Sequence, residues 1–222
     1  MPSVSGFRNR TLPLLAQTIR ALYHHKNMHA DCPFKPPLAM VLTCRRLGIR
    51  PSRHLLVVSI QSQKMIWLES SLLPSSHFSP SPAWLFYRLR RELLISTSRF
   101  GSGQTANSNR TPLGLHRIAS KVGGGQPIGT VFSGRRPTGF TWQGQPNAAI
   151  AHRIFWLDGL EPGFNRGGQV DSFRRYIYIH GLSNEPTLGR PASRGCIHLA
   201  ASYLLSLFDK LPVGTLVWIA ER

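Results

Sequence analysis

The chain has 222 residues, enough to bury a sizeable core in one domain with an appendage or in two small domains. A hydrophobic fraction of 41% excludes wholesale disorder, and the longest apolar runs, such as "LAMVL" at 38–42, fall far short of the ~20 residues of a bilayer span. A formal charge of +18 favours polyanionic partners, whether nucleic acid, acidic lipid or anionic wall polymer.

That charge is spread out: residues 1–53 carry nine Lys/Arg against one acid, Asp31, and the remainder carries eighteen against eight. Residues 1–53 read as a basic extension, disordered or produced by a start codon placed too far upstream. "HHKNMHADCPFKPP" has no period, and Pro33, Pro36 and Pro37 break any nearby element; "LPLLAQTIRALYHH" makes at most one short amphipathic helix. A secretory signal fits poorly, because Gln17 and Arg20 interrupt the apolar stretch and no small-residue cleavage site follows. Thr43 fits a lipoprotein box before Cys44 no better.

Order is expected from His54 to Arg222. "HLLVVSI" and "KMIWLE", separated by "QSQ", read as a β-hairpin, followed by a Ser/Pro-rich loop over 70–82. "AWLFYRLRR" is a short helix or an extended edge, and "ELLISTS" a strand. "LHRIAS", "IGTVFSG", "HRIFWLD", "RRYIYIH" and "VGTLVWIA" are further strands, with "TPLG" a turn and "KVGGGQP" a loop. One helix stands out, with Leu199, Tyr203, Leu204, Leu207, Phe208 and Leu211 at helical intervals and Pro212 and Gly214 at its end. The expected class is mostly β, a sandwich or barrel-like domain with one principal helix.

The chemistry concentrates in "YIYIHGLSNEPTLGRPASRGCIHLAA", 176–201, where an apolar run ends in His180-Gly181 and a small-residue turn delivers Cys196. Only a thiolate attacks carbonyls well, and two devices lower a thiol's pKa, an adjacent imidazolium and a helix N-terminus. The sequence places His180 and the start of the helix where each can serve. Gly195 allows a sharp turn, so that the N–H groups of Arg194, Gly195 and Cys196 can converge on an oxyanion. Three readings stay open. Cys196 is a small buried hydrophobe with a structural His180; or His180, Cys196, His198 and His152 hold zinc, although 196 and 198 point apart in an extended chain; or the pair performs acyl transfer. Three cysteines, Cys32, Cys44 and Cys196, cannot all pair within one molecule.

"YIYIHG…LGRPASRGCIHL…LPVGTLVWI" closely resembles the catalytic domain of the L,D-transpeptidases, the YkuD-type family. The resemblance runs in order over 54–222, through "LLVVSIQSQKMIWLE", "ISTSRFGSGQTANSNRTPLGLHRIASKVGGGQP", "GTVFSGRRPTG" and "RIFWLDGLEPGFNRGGQVDSFRRYIYIHG". It implies a peptidoglycan acyltransferase, located in the periplasm or at the cell wall, acting on stem tetrapeptides. Cys196 would attack the bond between the diamino acid and D-alanine and form a thioester. An amine would resolve it into a 3→3 cross-link, or water would resolve it in a carboxypeptidase. His180 would be the base, Ser193 would order the turn, and Gly181, Ser193, His198 and Arg190 would lie along the substrate. No cofactor, metal or specific nucleic acid is implied. Three positions depart from the family pattern: Arg194 replaces histidine, His198 stands for Arg or Asn, and Leu182 follows His-Gly where Ser or Thr is usual. Those departures leave a catalytically impaired peptidoglycan-binding relative as the alternative. Thr111-Pro112-Leu113-Gly114 resembles the family's Thr-Pro-x-Gly turn and reads as scaffold. Arg135-Arg136, Arg166 and Arg174-Arg175 are candidates to face an anionic substrate.

Overall fold

The computed structural model describes residues 33–70 and 87–222; the helix expected within 12–25, Cys32 and nearly all of the Ser/Pro-rich loop lie outside them. Among the described residues there are eleven strands and two α-helices. In chain order they are β1 (Pro33–Phe34), α1 (Leu38–Arg46), β2 (His54–Ser59), β3 (Lys64–Ser70), β4 (Tyr87–Ser96), β5 (Gly114–Val122), β6 (Thr130–Ser133), β7 (Arg136–Phe140), β8 (Ala151–Gly159), β9 (Tyr178–Gly181), β10 (Ile197–Leu199), α2 (Ala201–Lys210) and β11 (Leu216–Ala220).

Hydrogen bonding runs β5-β11-β2-β3-β4-β10-β9-β8, and β8 pairs back onto β5, so these strands close a mixed barrel. Two neighbours are parallel, β11 with β2 and β10 with β9. The hairpin β6–β7 hangs from β8, and β1 from β4.

The strand sequences explain why both barrel faces are dry. In β2, Leu56 and Val58 point into the main core while Leu55 and Val57 pack in a second cluster outside it. In β11, Val217 and Ile219 point in, and Leu216 and Trp218 out. A strand covered on both faces reads as a continuous apolar run instead of an alternation. The outer cover is α1, whose Met40 and Cys44, one turn apart, are fully buried against that outer cluster.

That helix is a difference from the sequence reading, which treats 1–53 as irregular. Pro36 and Pro37 stand just ahead of the first helical turn, where a missing N–H costs nothing. Arg46 pairs with Glu161 at 2.9 Å, and Glu161 also accepts the Leu115 N–H at 2.8 Å, tying α1 to the barrel. "YRLRR" and "ELLIS" form one strand, β4. β7 went unread because it carries Pro137 and Gly139.

In α2, Leu204, Leu207 and Phe208 enter the main core, joined by Leu211 just beyond the helix. Tyr203 is 37% exposed and lies off that face, and Leu199 belongs to β10.

Candidate active site

Strand alternation fixes the site. Ile179 of β9 and Ile197 and Leu199 of β10 point into the core, so Tyr178, His180, Cys196 and His198 take the opposite face. The parallel register sets Ile197 beside Ile179 and His198 beside His180, which carries Cys196 alongside Tyr178. The rings of His180 and His198 lie 4.9 Å apart. Cys196 packs partly against Phe132, Ile154 and Tyr178. The histidine therefore lies on β9, and the cysteine in the turn that leads directly into the neighbouring strand β10.

His180 is nearly fully buried, and its Nδ1 lies 2.9 Å from the Gly181 carbonyl. A carbonyl only accepts, so Nδ1 carries the proton and Nε2 keeps the lone pair. Burial pushes the imidazole down to about 4, against the opposing effect of that carbonyl. It is neutral at pH 7. Gly181 is itself confined, since a Cβ there would sit 2.8 Å from the His152 ring and 2.9 Å from the Ala151 carbonyl.

The Cys196 thiol donates to the Tyr176 carbonyl at 3.5 Å. Burial pushes it up to about 11, opposed by a backbone hydrogen bond at Tyr178 and by the Arg175 guanidinium. The residue as a whole is only half-buried, which weakens the burial effect as well. Both devices expected to lower this pKa are inoperative. His180 is an uncharged imidazole. β10 separates Cys196 from α2, which begins at Ala201, where the first N–H donates to Glu185 Oε1 at 2.7 Å. The sequence reading ran the helix straight on from Cys196 because a three-residue strand leaves no periodic trace.

The turn before Cys196 is held from several sides. Gly195 has φ +119°, and a Cβ there would lie 3.3 Å from the Arg110 carbonyl. Thr111 Oγ1 donates to the Gly195 carbonyl (3.0 Å) and accepts the Ser98 N–H (3.0 Å), so the Thr-Pro-x-Gly segment is scaffold for this turn. Ser193 Oγ donates to the Cys196 carbonyl at 2.6 Å and accepts the Gly195 N–H at 3.2 Å. Of the three N–H groups expected to meet an oxyanion, Gly195's is thus already engaged.

The remaining expected residues divide clearly. Arg190 and Arg194 are exposed. His198 has a buried Nδ1 with no partner and is held down at about 3, chiefly by burial and then by His180, so it is uncharged. His152 Nδ1 accepts the Gly129 N–H at 3.0 Å, and its Nε2–H donates to the Leu182 carbonyl at 3.1 Å. With both nitrogens engaged, His152 is no ligand. Among the described residues no group of three or more His, Cys, Asp or Glu is placed to hold a metal ion, so the zinc reading is not assembled.

Two arginines matter more than their positions in sequence suggest. Arg175 donates to the carbonyls of Gly103 (3.1 Å), Gln104 (2.7 Å) and Arg110 (2.6 Å), binding the 103–110 loop beneath the Cys196 turn. Arg135, at the β6–β7 tip, donates to Tyr178 Oη at 3.1 Å and lies over the rings of Trp156 (4.4 Å) and Tyr176 (5.1 Å). Trp156 stacks on Phe173 at 3.8 Å and meets Tyr178 edge-on. Two surface cavities, of about 330 and 220 Å³, are lined by other residues, Glu161 and Arg46 in one and Tyr203 and Lys210 in the other.

No curated protein matches the chain. Among solved structures, Bdellovibrio bacteriovorus Bd1075 is 13% identical, with a TM-score of 0.48 over 77% of this chain and 49% of that one. L,D-transpeptidase 3 from Mycobacterium tuberculosis is 17% identical, with a TM-score of 0.43 over 76% and 61%. The Enterococcus faecium L,D-transpeptidase is 14% identical, with a TM-score of 0.42 over 77% and 50%. The chain spans about half to three-fifths of the length of these three. A family model, described as the L,D-transpeptidase catalytic domain (YkuD), matches residues 53–219. The chain therefore belongs to the L,D-transpeptidase catalytic-domain family.

Proposed function

We propose that this protein is a cysteine acyltransferase of peptidoglycan stem peptides, working outside the inner membrane. The observation that carries the reading is the His180 tautomer: the Gly181 carbonyl holds the Nδ1 proton, leaving Nε2 basic on the strand beside Cys196. Family membership supplies the substrate class.

The resting pair is a neutral thiol and a neutral imidazole. The thiol proton passes to His180 Nε2 as sulfur bonds to the carbonyl carbon between the diamino acid and D-alanine. The tetrahedral oxyanion then falls to the N–H groups of Arg194 and Cys196, each such donor supporting ~2.7–4 kcal/mol of barrier. Collapse breaks the C–N bond, and the imidazolium returns its proton to the departing amine of D-alanine. His180 next deprotonates an incoming amine, giving the 3→3 cross-link, or water, giving the shortened stem. Ser193 and Thr111 keep the turn in shape; Gly181 sets the base; His198 and Arg190 border the substrate path.

The test is release of D-alanine from tetrapeptide muropeptides by the purified chain. Cys196→Ala should abolish release, and unchanged release would discard the nucleophile. A second reading, a peptidoglycan-binding relative with impaired turnover, draws on the thiol held near 11 and on Arg194 in place of the family's histidine. Mass spectrometry after carbapenem treatment separates the two. An adduct on Cys196 marks a competent thiol, and none on folded protein marks the binder.

A further inference from the structure

The proposed reaction removes a single terminal residue, so its substrate carries a free carboxylate within one residue of the bond to be cut. Such a site needs a fixed cation near the nucleophile, both to choose that end of the peptide and to set its depth. His198, one of the residues expected along the substrate, has an uncharged ring that cannot supply the charge.

Arg135 can. Gly134 (φ 52°) and Arg135 (φ 70°) form a two-residue turn of left-handed backbone between β6 and β7, a geometry that matches hairpin twist and fixes where the tip points. The tip reaches back over the face that bears Cys196. One guanidinium nitrogen donates to Tyr178 Oη at 3.1 Å, and Tyr178 packs against Cys196 and makes a backbone hydrogen bond to its thiol. The guanidinium plane rests on Trp156 and Tyr176, at 4.4 and 5.1 Å, and Tyr176 is the residue whose carbonyl accepts the Cys196 thiol. Arg135 makes no ion pair with a carboxylate among the described residues, unlike Arg46, Arg53, Arg90 and Arg117. Aromatic contacts orient the cation without neutralising it, and the fork's remaining N–H donors suit a bidentate carboxylate.

We propose that Arg135 is the specificity residue of this site, binding the terminal carboxylate of the leaving residue and so restricting the protein to stems that end one residue beyond the scissile bond. The proposal rests on the stem-peptide reading, and it assigns the β6–β7 tip a chemical choice beyond covering the site.

A binding experiment separates this inference from that reading. In a Cys196→Ala background, which removes turnover, calorimetry compares three tetrapeptide stems: the free acid, its terminal amide, and a stem amidated only on the diamino acid. The free acid should bind about tenfold to a hundredfold more tightly than the terminal amide, the range for a hydrogen bond to a charged group. The stem amidated on the diamino acid should bind like the free acid. Adding Arg135→Gln should erase the preference, while Arg135→Lys should keep part of it. No preference for the terminal acid, a preference that survives Arg135→Gln, discrimination at the diamino acid instead, or no binding of the free acid would each overturn the proposal. Arg135-dependent discrimination without D-alanine release by the unmodified chain would leave the inference standing and sink the catalytic reading.

Discussion

A thiol held near 11 and an imidazole held near 4 begin any reaction uncharged, so nucleophilicity here depends on proton transfer during attack. Below its pKa the thiolate fraction of a cysteine rises tenfold per pH unit. Alkylation of Cys196 by iodoacetamide, followed by mass spectrometry, should therefore climb through pH 7–10 without levelling. A plateau near neutrality would show a preformed ion pair. Gly195 offers a second check. Alanine at φ +119° is strained by ~1–3 kcal/mol and presses on the Arg110 carbonyl, so Gly195→Ala should fold yet lose most carbapenem acylation. His180 and Cys196 stood out in the sequence as candidates, by residue type and by the family resemblance together. Arg135 and Arg175 stood among five arginines named to face an anion, with nothing in the sequence to set them apart, since an arginine's meaning lies in the rings and carbonyls that tertiary folding gathers around it. The expected helix-end effect on Cys196 failed for a similar reason: nothing in "CIHLAA" marks three residues as a strand.

Elements with a clear period were read correctly, and those without were missed or misjoined. The β2–β3 hairpin and the core face of α2 follow directly from their apolar patterns. α1 shows no such pattern, because its nine residues bury Met40 and Cys44 while leaving Leu38 72% and Leu42 52% exposed. Its importance is tertiary, as cover for the outer faces of β2 and β11. Met40→Ala should cost ~2–5 kcal/mol, the range for emptying a filled core position, seen as a lower urea midpoint with little change in m-value. A midpoint within error of the parent would mean that α1 is not part of the cooperative unit.

For the whole molecule, buried histidines set the response to acid. His116 in β5 bonds the Gly114 carbonyl and Ser172 Oγ, and burial pushes it down to about 4, like His180. Unfolded histidine titrates near 6.5, so the unfolded chain takes up protons first as pH falls. The stability these two rings carry is complete above about 6.5, declines as pH drops, and levels off once they protonate in the fold below about 4. Each of the two contributes on the order of 3 kcal/mol across that window. Urea midpoints flat from pH 7 to 4 would contradict this. The +18 charge acts at the same scale and without sequence preference. Any DNA mobility shift should vanish as salt is raised and should be equal for unrelated sequences, whereas a salt-resistant, sequence-selective shift would demand a nucleic-acid role.

The position of β11 between β5 and β2 carries a consequence for biogenesis. The strand that completes the ring follows the other ten described strands in the chain, and it joins two that lie far upstream of it, β2 and β5. Without Leu216–Ala220, β2 and β5 have no common neighbour, and the ring around the main core stays open. A chain truncated before Leu216 should stay protease-sensitive throughout, while one that includes Leu216–Ala220 should be protected in one step.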